Sequence, residues 1–161
     1  MKTLLKTDHT EVFEVNGIEM IKRPVACAIL AFDEDDKVIM VEQERGTFGT
    51  MLEVPAGKVD QGEDPLNTAE RELLEETGYQ AFHTSHLIDY FPSVGYSTEQ
   101  INCYYTDKTK NTFKQRLDDG ERINVKHIPF WKLKDMIKNG EIKDSKTIMC
   151  VYAYEDNRYG I

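Results

Sequence analysis

Apolar and polar positions alternate along "EVFEVNGIEMIKR" on both sides of Asn16-Gly17, which predicts two strands joined by a two-residue hairpin turn. After Pro24 the pattern changes. "VACAILAF" is a continuous apolar run and reads as a buried strand; "DEDD" turns the chain, and "KVIMVEQER" returns as its partner. "GTFGTM" reads as a loop, and "LEVPAG" as a short strand halted by Pro55 and Gly57. A helical period follows. Asp64-Pro65 is a capping acceptor with proline at the first helical position, Leu66, Ala69, Leu73 and Leu74 form one apolar stripe, and Gly78 fits the stop. The expected helix runs from about Asp64 to Thr77. Strands are expected at "FHTSHLIDYF", "EQINCYYT" and "INVKHIPF", with "RLDDGER" an acidic loop. "WKLKDMIKNG" reads as a helix ended by Gly140, and Asp144 as the cap of a last helix, "SKTIMCVYAYEDNR". With no repeat or linker in view, the order strands, helix, strands, helices predicts an α+β fold or a mixed-sheet sandwich.

Length and charge narrow the function. The 161 residues suffice for one domain with a full core, 1–161, and 40% hydrophobic residues argue against disorder. A formal net charge of -9 argues against nucleic-acid or anionic-membrane binding. It does not exclude an anionic ligand, because a bound divalent cation inverts the local field. Cys27, Cys103 and Cys150 are far apart in apolar surroundings, so buried, reduced thiols are expected. No apolar run approaches membrane-spanning length and the first residues lack a signal-peptide core; the expectation is a cytoplasmic protein.

Against that background one segment stands out. "GKVDQGEDPLNTAERELLEETGY" carries seven carboxylates and two basic side chains. On the expected helix Glu72 and Glu76 stand four apart and Glu75 three beyond Glu72, so all three project to one side. Between Lys58 and Lys108 the only lysine or arginine is Arg71. Charge alone leaves two readings open, a solvated acidic face or a site for hard divalent cations. With no His or Cys on the helix, magnesium or manganese suits the donors better than zinc or copper.

The complete spacing resembles the Nudix box. Gly57, Glu63, Arg71, Glu72, Glu75, Glu76 and Gly78 agree with the family pattern, and Tyr79 departs softly where an aliphatic residue is usual. The resemblance implies a Nudix-type α/β/α sandwich with a mixed sheet, and an enzyme that hydrolyses a nucleoside diphosphate linked to another moiety. It implies Mg²⁺, with Mn²⁺ possible, held by Glu72, Glu75, Glu76 and the Ala56 carbonyl. Gly57, Glu63, Arg71 and Gly78 then brace the loop against the helix, a role suited to a guanidinium among carboxylates.

Flanking segments, "MVEQERGTFGTMLEVPAGKVDQGEDP", "DDGERINV" and "MIKNGEIKDSKTI", resemble the ADP-ribose pyrophosphatases of that family. By that resemblance ADP-ribose yields AMP and ribose 5-phosphate, Arg45 and Glu99 bind substrate, and Phe13 offers an aromatic face to adenine. The amino-terminal hairpin, residues 1–23, then helps build a homodimer. "FPSVGYSTE" fits the subfamily loop at Ser93, Gly95 and Glu99, but Val94 stands at the proline position. Glu121 in the acidic loop is the expected general base, with Asp119 next. GDP-mannose or another nucleotide sugar, a nucleoside triphosphate, and a non-catalytic ligand sensor are the alternatives.

Overall fold

The computed structural model describes residues 1–8, 10–117, 120 and 122–159. Three strands open it, β1 (Lys2–Lys6), β2 (Glu11–Val15) and β3 (Ile18–Lys22), in one antiparallel sheet. Asn16 and Gly17 join β2 to β3 with φ of 52° and 78°, the left-handed pair that a two-residue hairpin turn requires. The hairpin is as expected; β1 is an addition. Its "KTLLK" is exposed throughout and gives no burial signal, so only backbone pairing to β2 makes it a strand. On the other side β3 is tied to the body of the protein. The Ile21 N–H donates to the Tyr96 carbonyl (2.7 Å), and the Thr98 N–H donates to the Ile21 carbonyl (3.1 Å).

The central sheet holds β4 (Ala26–Phe32), β5 (Lys37–Glu44), β6 (Thr50–Glu53), β7 (Ala56–Lys58), β9 (Ser85–Tyr90), β10 (Ile101–Thr106) and β12 (Ile123–Pro129). A separate antiparallel pair is formed by β8 (Tyr79–Phe82) and β11 (Lys108–Asn111). The helices are α1 (Pro65–Thr77), α2 (Phe130–Lys138) and α3 (Ser145–Tyr159). The main path is β12-β5-β4-β10-β9, with β6 on β5 and β7 on β4. β10 runs parallel to β4 and the other pairs are antiparallel, so the sheet is mixed. Side chains alternate across a strand, and the apolar run of β4 therefore serves two cores. Cys27, Ile29 and Ala31 pack with Ala69 and Leu73 of α1. Ala28, Leu30 and Phe32 pack with Leu133 of α2 and with Cys150, Val151 and Tyr154 of α3. Helices on both faces of one mixed sheet make the α/β/α sandwich.

Some boundaries differ from the apolar pattern, for local reasons. "LEVPAG" is two strands. Pro55 has no N–H to continue the ladder, and its carbonyl accepts from Ile29 (3.0 Å) as the chain crosses from β5 to β4. "FHTSHLIDYF" likewise breaks, at His83 (φ 57°), leaving β8 on one side and β9 on the other. Gly46–Phe48 forms a short 3-10 turn within the expected loop. Asp64 lies just outside α1 as its cap, accepting from the Leu66 and Asn67 N–H groups. Leu73 is fully buried, whereas Leu74 is only partly buried. The three cysteines are free and buried, and burial pushes the Cys27 thiol up to about 12. Among the described residues no helix is long and apolar enough to cross a membrane.

Candidate active site

A cavity of about 620 Å³ opens at the end of the sheet where β4 and β10 begin and β5 ends. One wall is α1, with β7 as its neighbour. Arg71 Nε and Nη2 donate to the two carboxylate oxygens of Glu63 (3.0 Å each), and Nη1 donates to Glu72 (2.9 Å) and Glu75 (2.8 Å). These partners hold the Arg71 guanidinium above its ordinary range, Glu63 contributing most. In return Arg71, helped by Thr68, lowers the Glu63 carboxyl to about 2.

Two glycines let this wall close. A Cβ on Gly57 would stand 2.0 Å from the Glu72 carboxylate, so the strand passes over that side chain only because residue 57 has none. Gly78 caps α1 at φ 76°, and a Cβ there would meet the Lys114 backbone nitrogen at 3.1 Å. That close approach brings in the segment after β11. The Thr112 N–H donates to the Gly78 carbonyl (2.8 Å), the Arg116 N–H to the Glu75 carbonyl (2.8 Å), and the Gln115 amide to the Glu76 carbonyl. Glu76 itself is 5% exposed, and its Oε2 accepts from the Ala56 N–H at 3.1 Å.

Carboxylate and carbonyl oxygens are what this wall offers, the donor chemistry of hard divalent cations. Glu72, Glu75 and Glu76 face the cavity beside Ala56. Among the described residues no three acidic, histidine or cysteine side chains converge as a cation cage. Arg71 draws Glu72 and Glu75 to itself, so ligation requires these side chains to exchange a guanidinium proton donor for a cation.

The facing wall is basic and assembled from distant segments. Arg45, just past β5, makes a two-pronged bond to Glu53, Nε to Oε1 (2.9 Å) and Nη2 to Oε2 (2.7 Å). Lys146, in the first turn of α3, donates to Glu53 Oε2 (2.6 Å) and to Asp144 Oδ1 (2.8 Å). Asp144 also caps α3, accepting from the Thr147 N–H (2.9 Å) and hydroxyl (2.6 Å), while the Thr147 hydroxyl accepts from the Val54 N–H (2.9 Å). Burial alone would raise the Glu53 carboxyl; Arg45 and Lys146 outweigh it and hold the group below its usual range. Sequence reasoning missed Glu53, Lys146 and Arg116, all three near or on the cavity. For Glu53 a signal exists: a lone carboxylate in "TMLEVPA" is a charge in a strand too apolar to solvate it. Lys146 carries only its place in "MIKNGEIKDSKTI", a segment that resembles the subfamily, and Arg116 carries none.

Of the other expected residues, Glu99 lines the cavity together with Pro92. Its N–H donates to the Ser97 hydroxyl (3.1 Å), which fixes the end of the loop that β3 grips. Val94 is exposed. Phe13 is not part of the cavity lining; it is buried in the amino-terminal sheet, opposite Thr3 and Met20. Glu121 and Asp119 lie outside the described residues.

Comparison with known proteins bears on the same elements. The NUDIX domain model matches residues 22–149. The chain is 36% identical over 135 residues to a methanol dehydrogenase activator of Bacillus methanolicus, covering 83% of this chain and 73% of that protein. It is 33% identical, with the same coverage, to an ADP-ribose pyrophosphatase of Bacillus subtilis. Against a GDP-mannose pyrophosphatase of Escherichia coli it is 31% identical over 144 residues, covering 81% of this chain and 73% of that protein. A crystal structure of an ADP compounds hydrolase superposes with a TM-score of 0.81 at 19% identity, over 99% of this chain and 91% of that one, a likeness of fold. The matched span takes in β4, the glycine turn, α1 and the basic wall alike, and the chain belongs to the Nudix family.

Proposed function

We propose that this Nudix hydrolase cleaves ADP-ribose to AMP and ribose 5-phosphate with Mg²⁺, Mn²⁺ being the substitute of similar chemistry. The observation that carries the reading is the pairing of walls across one cavity, an oxygen-donor face on α1 and a cationic face at Arg45 and Lys146. A diphosphate complexed with a divalent cation presents both charges at once and matches both faces. The ADP-ribose assignment is supported by the name of the Bacillus subtilis relative and by Arg45 and Glu99 at the cavity.

Glu72, Glu75, Glu76 and the Ala56 carbonyl are the proposed cation ligands. Bound there, a divalent cation neutralises charge developing on the diphosphate and acidifies an attacking water. Arg71 orients Glu72 and Glu75 until the cation takes its place, and Glu63 holds Arg71. Arg45 binds a substrate phosphate through the Nη1 edge that Glu53 leaves open. Glu121 takes the proton of the water as its oxygen bonds to phosphorus and the bridging P–O bond breaks. The described stem of that loop is pinned to the end of α1 through Arg116 and Gln115, which supports this choice over a carboxylate on α1. The amino-terminal sheet, exposing Leu5 and Ile18, is proposed to mediate a homodimer, which sedimentation would detect.

The test is a Mg²⁺-dependent panel of ADP-ribose, GDP-mannose, other sugar nucleotides, dinucleoside polyphosphates and nucleoside triphosphates, with products resolved by chromatography. ADP-ribose is expected to have the highest kcat/KM. A guanine sugar nucleotide ahead by tenfold overturns the substrate. That second reading draws on the exposed Val94 at the subfamily's proline position and on the Escherichia coli relative.

A further inference from the structure

Glu53 is 2% exposed, a carboxylate at the end of β6 with almost no solvent of its own. A buried carboxylate needs its charge matched and its lone pairs occupied. Arg45 alone would supply one charge and two hydrogen bonds. Lys146 adds a second cation at 2.6 Å on Oε2, the same oxygen that accepts from Arg45 Nη2, and its side chain is only 14% exposed. Lys146 is in turn held by Asp144. The result is a chain of alternating charge, Arg45, Glu53, Lys146, Asp144, that leads from the cavity to the cap of α3.

The arrangement has a direction. The Nε and Nη2 edge of Arg45 is taken by Glu53, and among the described residues Nη1 makes no further hydrogen bond. Arg45 is 41% exposed and lines the cavity, so its open edge is the part available to a ligand. Bidentate pairing fixes the plane of a guanidinium. What fixes the carboxylate that fixes it is Lys146, on an element 93 residues away in sequence.

We infer that Lys146 is a positioning residue for diphosphate binding: acting through Glu53, it sets the orientation in which Arg45 presents its free edge to the substrate phosphates. The inference rests on the diphosphate-hydrolase reading for its kinetic arm and on geometry alone for its spectroscopic arm. Without Lys146, Asp144 and Glu53 hold two carboxylates against one guanidinium. Arg45 is then pulled toward the excess negative charge and its open edge turns from the cavity.

Lys146→Met, Lys146→Gln and Lys146→Arg should be compared with the full-length wild type, with thermal midpoints confirming folding. In the metal-free protein, the Arg45 Nε–H proton, assigned with Arg45→Lys, is expected to exchange with solvent at least about tenfold faster in Lys146→Met and Lys146→Gln, and to stay protected in Lys146→Arg. With ADP-ribose, the two neutral variants are expected to raise KM about tenfold, the scale of one charged hydrogen bond. Their kcat should stay within threefold, and Lys146→Arg should recover most of the loss. In an Arg45→Ala background, Lys146→Met should add less than twofold, because its route to substrate has been removed. Unchanged Nε–H exchange, a KM within twofold of wild type, or losses that multiply in full with Arg45→Ala overturns the inference. A wild type that does not cleave ADP-ribose overturns the substrate reading instead, and the exchange measurement still decides the role of Lys146.

Discussion

On α1 a single guanidinium, Arg71, serves Glu63, Glu72 and Glu75, whereas across the cavity Arg45 and Lys146 together serve Glu53 and Asp144. The first wall keeps carboxylates in excess; the second gives each carboxylate its own cation, with Arg45 and Lys146 on the cavity and Glu53 off its lining. Their placement differs as well. Glu63, Glu72 and Glu75 retain partial contact with solvent, but Glu53 is buried. An excess of like charge is tolerable where water and one shared cation screen it, and it becomes useful when a divalent cation replaces that arginine contact. Glu53 has no such freedom, because each of its oxygens is taken by a dedicated cation. The cation side of the site is therefore built to be rearranged, and the anion side to stay fixed.

The largest expected effect tests the adaptable wall. Glu76→Gln should lower kcat by more than about 100-fold, beyond what the loss of a supporting residue around a metal costs. It should also remove most of the rise in thermal midpoint that millimolar Mg²⁺ gives the wild type, while the metal-free variant stays folded. Near-normal turnover would show that α1 is not the cation face.

Gly57→Ala comes next. Its Cβ would occupy the place of the Glu72 carboxylate, which must swing away from Arg71 and from the cavity. A kcat loss of about 10- to 100-fold is expected, on the scale of disturbed metal-site support. Steady-state kinetics against Mg²⁺ concentration measures it, and retention of wild-type Mg²⁺ dependence would mean that Glu72 is not a ligand.

Glu63 gives a smaller effect with a definite sign. Its folded carboxyl lies at about 2 against an ordinary 4.5, so it contributes stability above pH 4.5 that is lost as pH falls toward 2. Thermal midpoints of the metal-free protein over that window should fall more steeply for wild type than for Glu63→Gln. Parallel curves would remove Glu63 from the bracing role. The smallest effect belongs to Asp60, 83% exposed and 4.0 Å from Arg71. Asp60→Asn should change stability by less than about 0.5 kcal/mol by denaturant titration, as exposed ion pairs do. A larger change would mean that α1 relies on its outermost carboxylate.

These walls also differ in how legible they are. The α1 wall lies within Gly57 to Gly78, and helical spacing with the capping Asp64 brings Glu72, Glu75 and Glu76 to one side before any tertiary contact forms; Gly57 joins them through the pairing of β7 with β4. The basic wall depends on which distant segments meet. Lys146 was one polar residue in a helix whose cap, Asp144, was readable, yet its partner Glu53 is set by the docking of α3 beside β6. The same division holds for the fold. β4 and β5 were marked by apolar runs and β2 and β3 by Asn16-Gly17, while β1 and the β8–β11 pair exist through backbone pairing with chain that no local pattern names. The expectation for Phe13 comes from resemblance alone; within one chain it pairs opposite Thr3 and Met20 in the amino-terminal sheet.

The link from Glu53 to Lys146 also bears on how the protein is made. A ribosome adding about 5–20 residues per second needs on the order of 5–20 s to pass from one to the other. The sheet is delayed in the same way, since β4 finds its parallel neighbour β10 only after the chain from Ala26 to Ile101 has emerged. Non-local pairing of this kind slows folding. The emerging chain can form its carboxylate helix early, but the basic wall cannot close before α3 is synthesised. Catalytic competence therefore waits for α3, 93 residues after the carboxylate it completes.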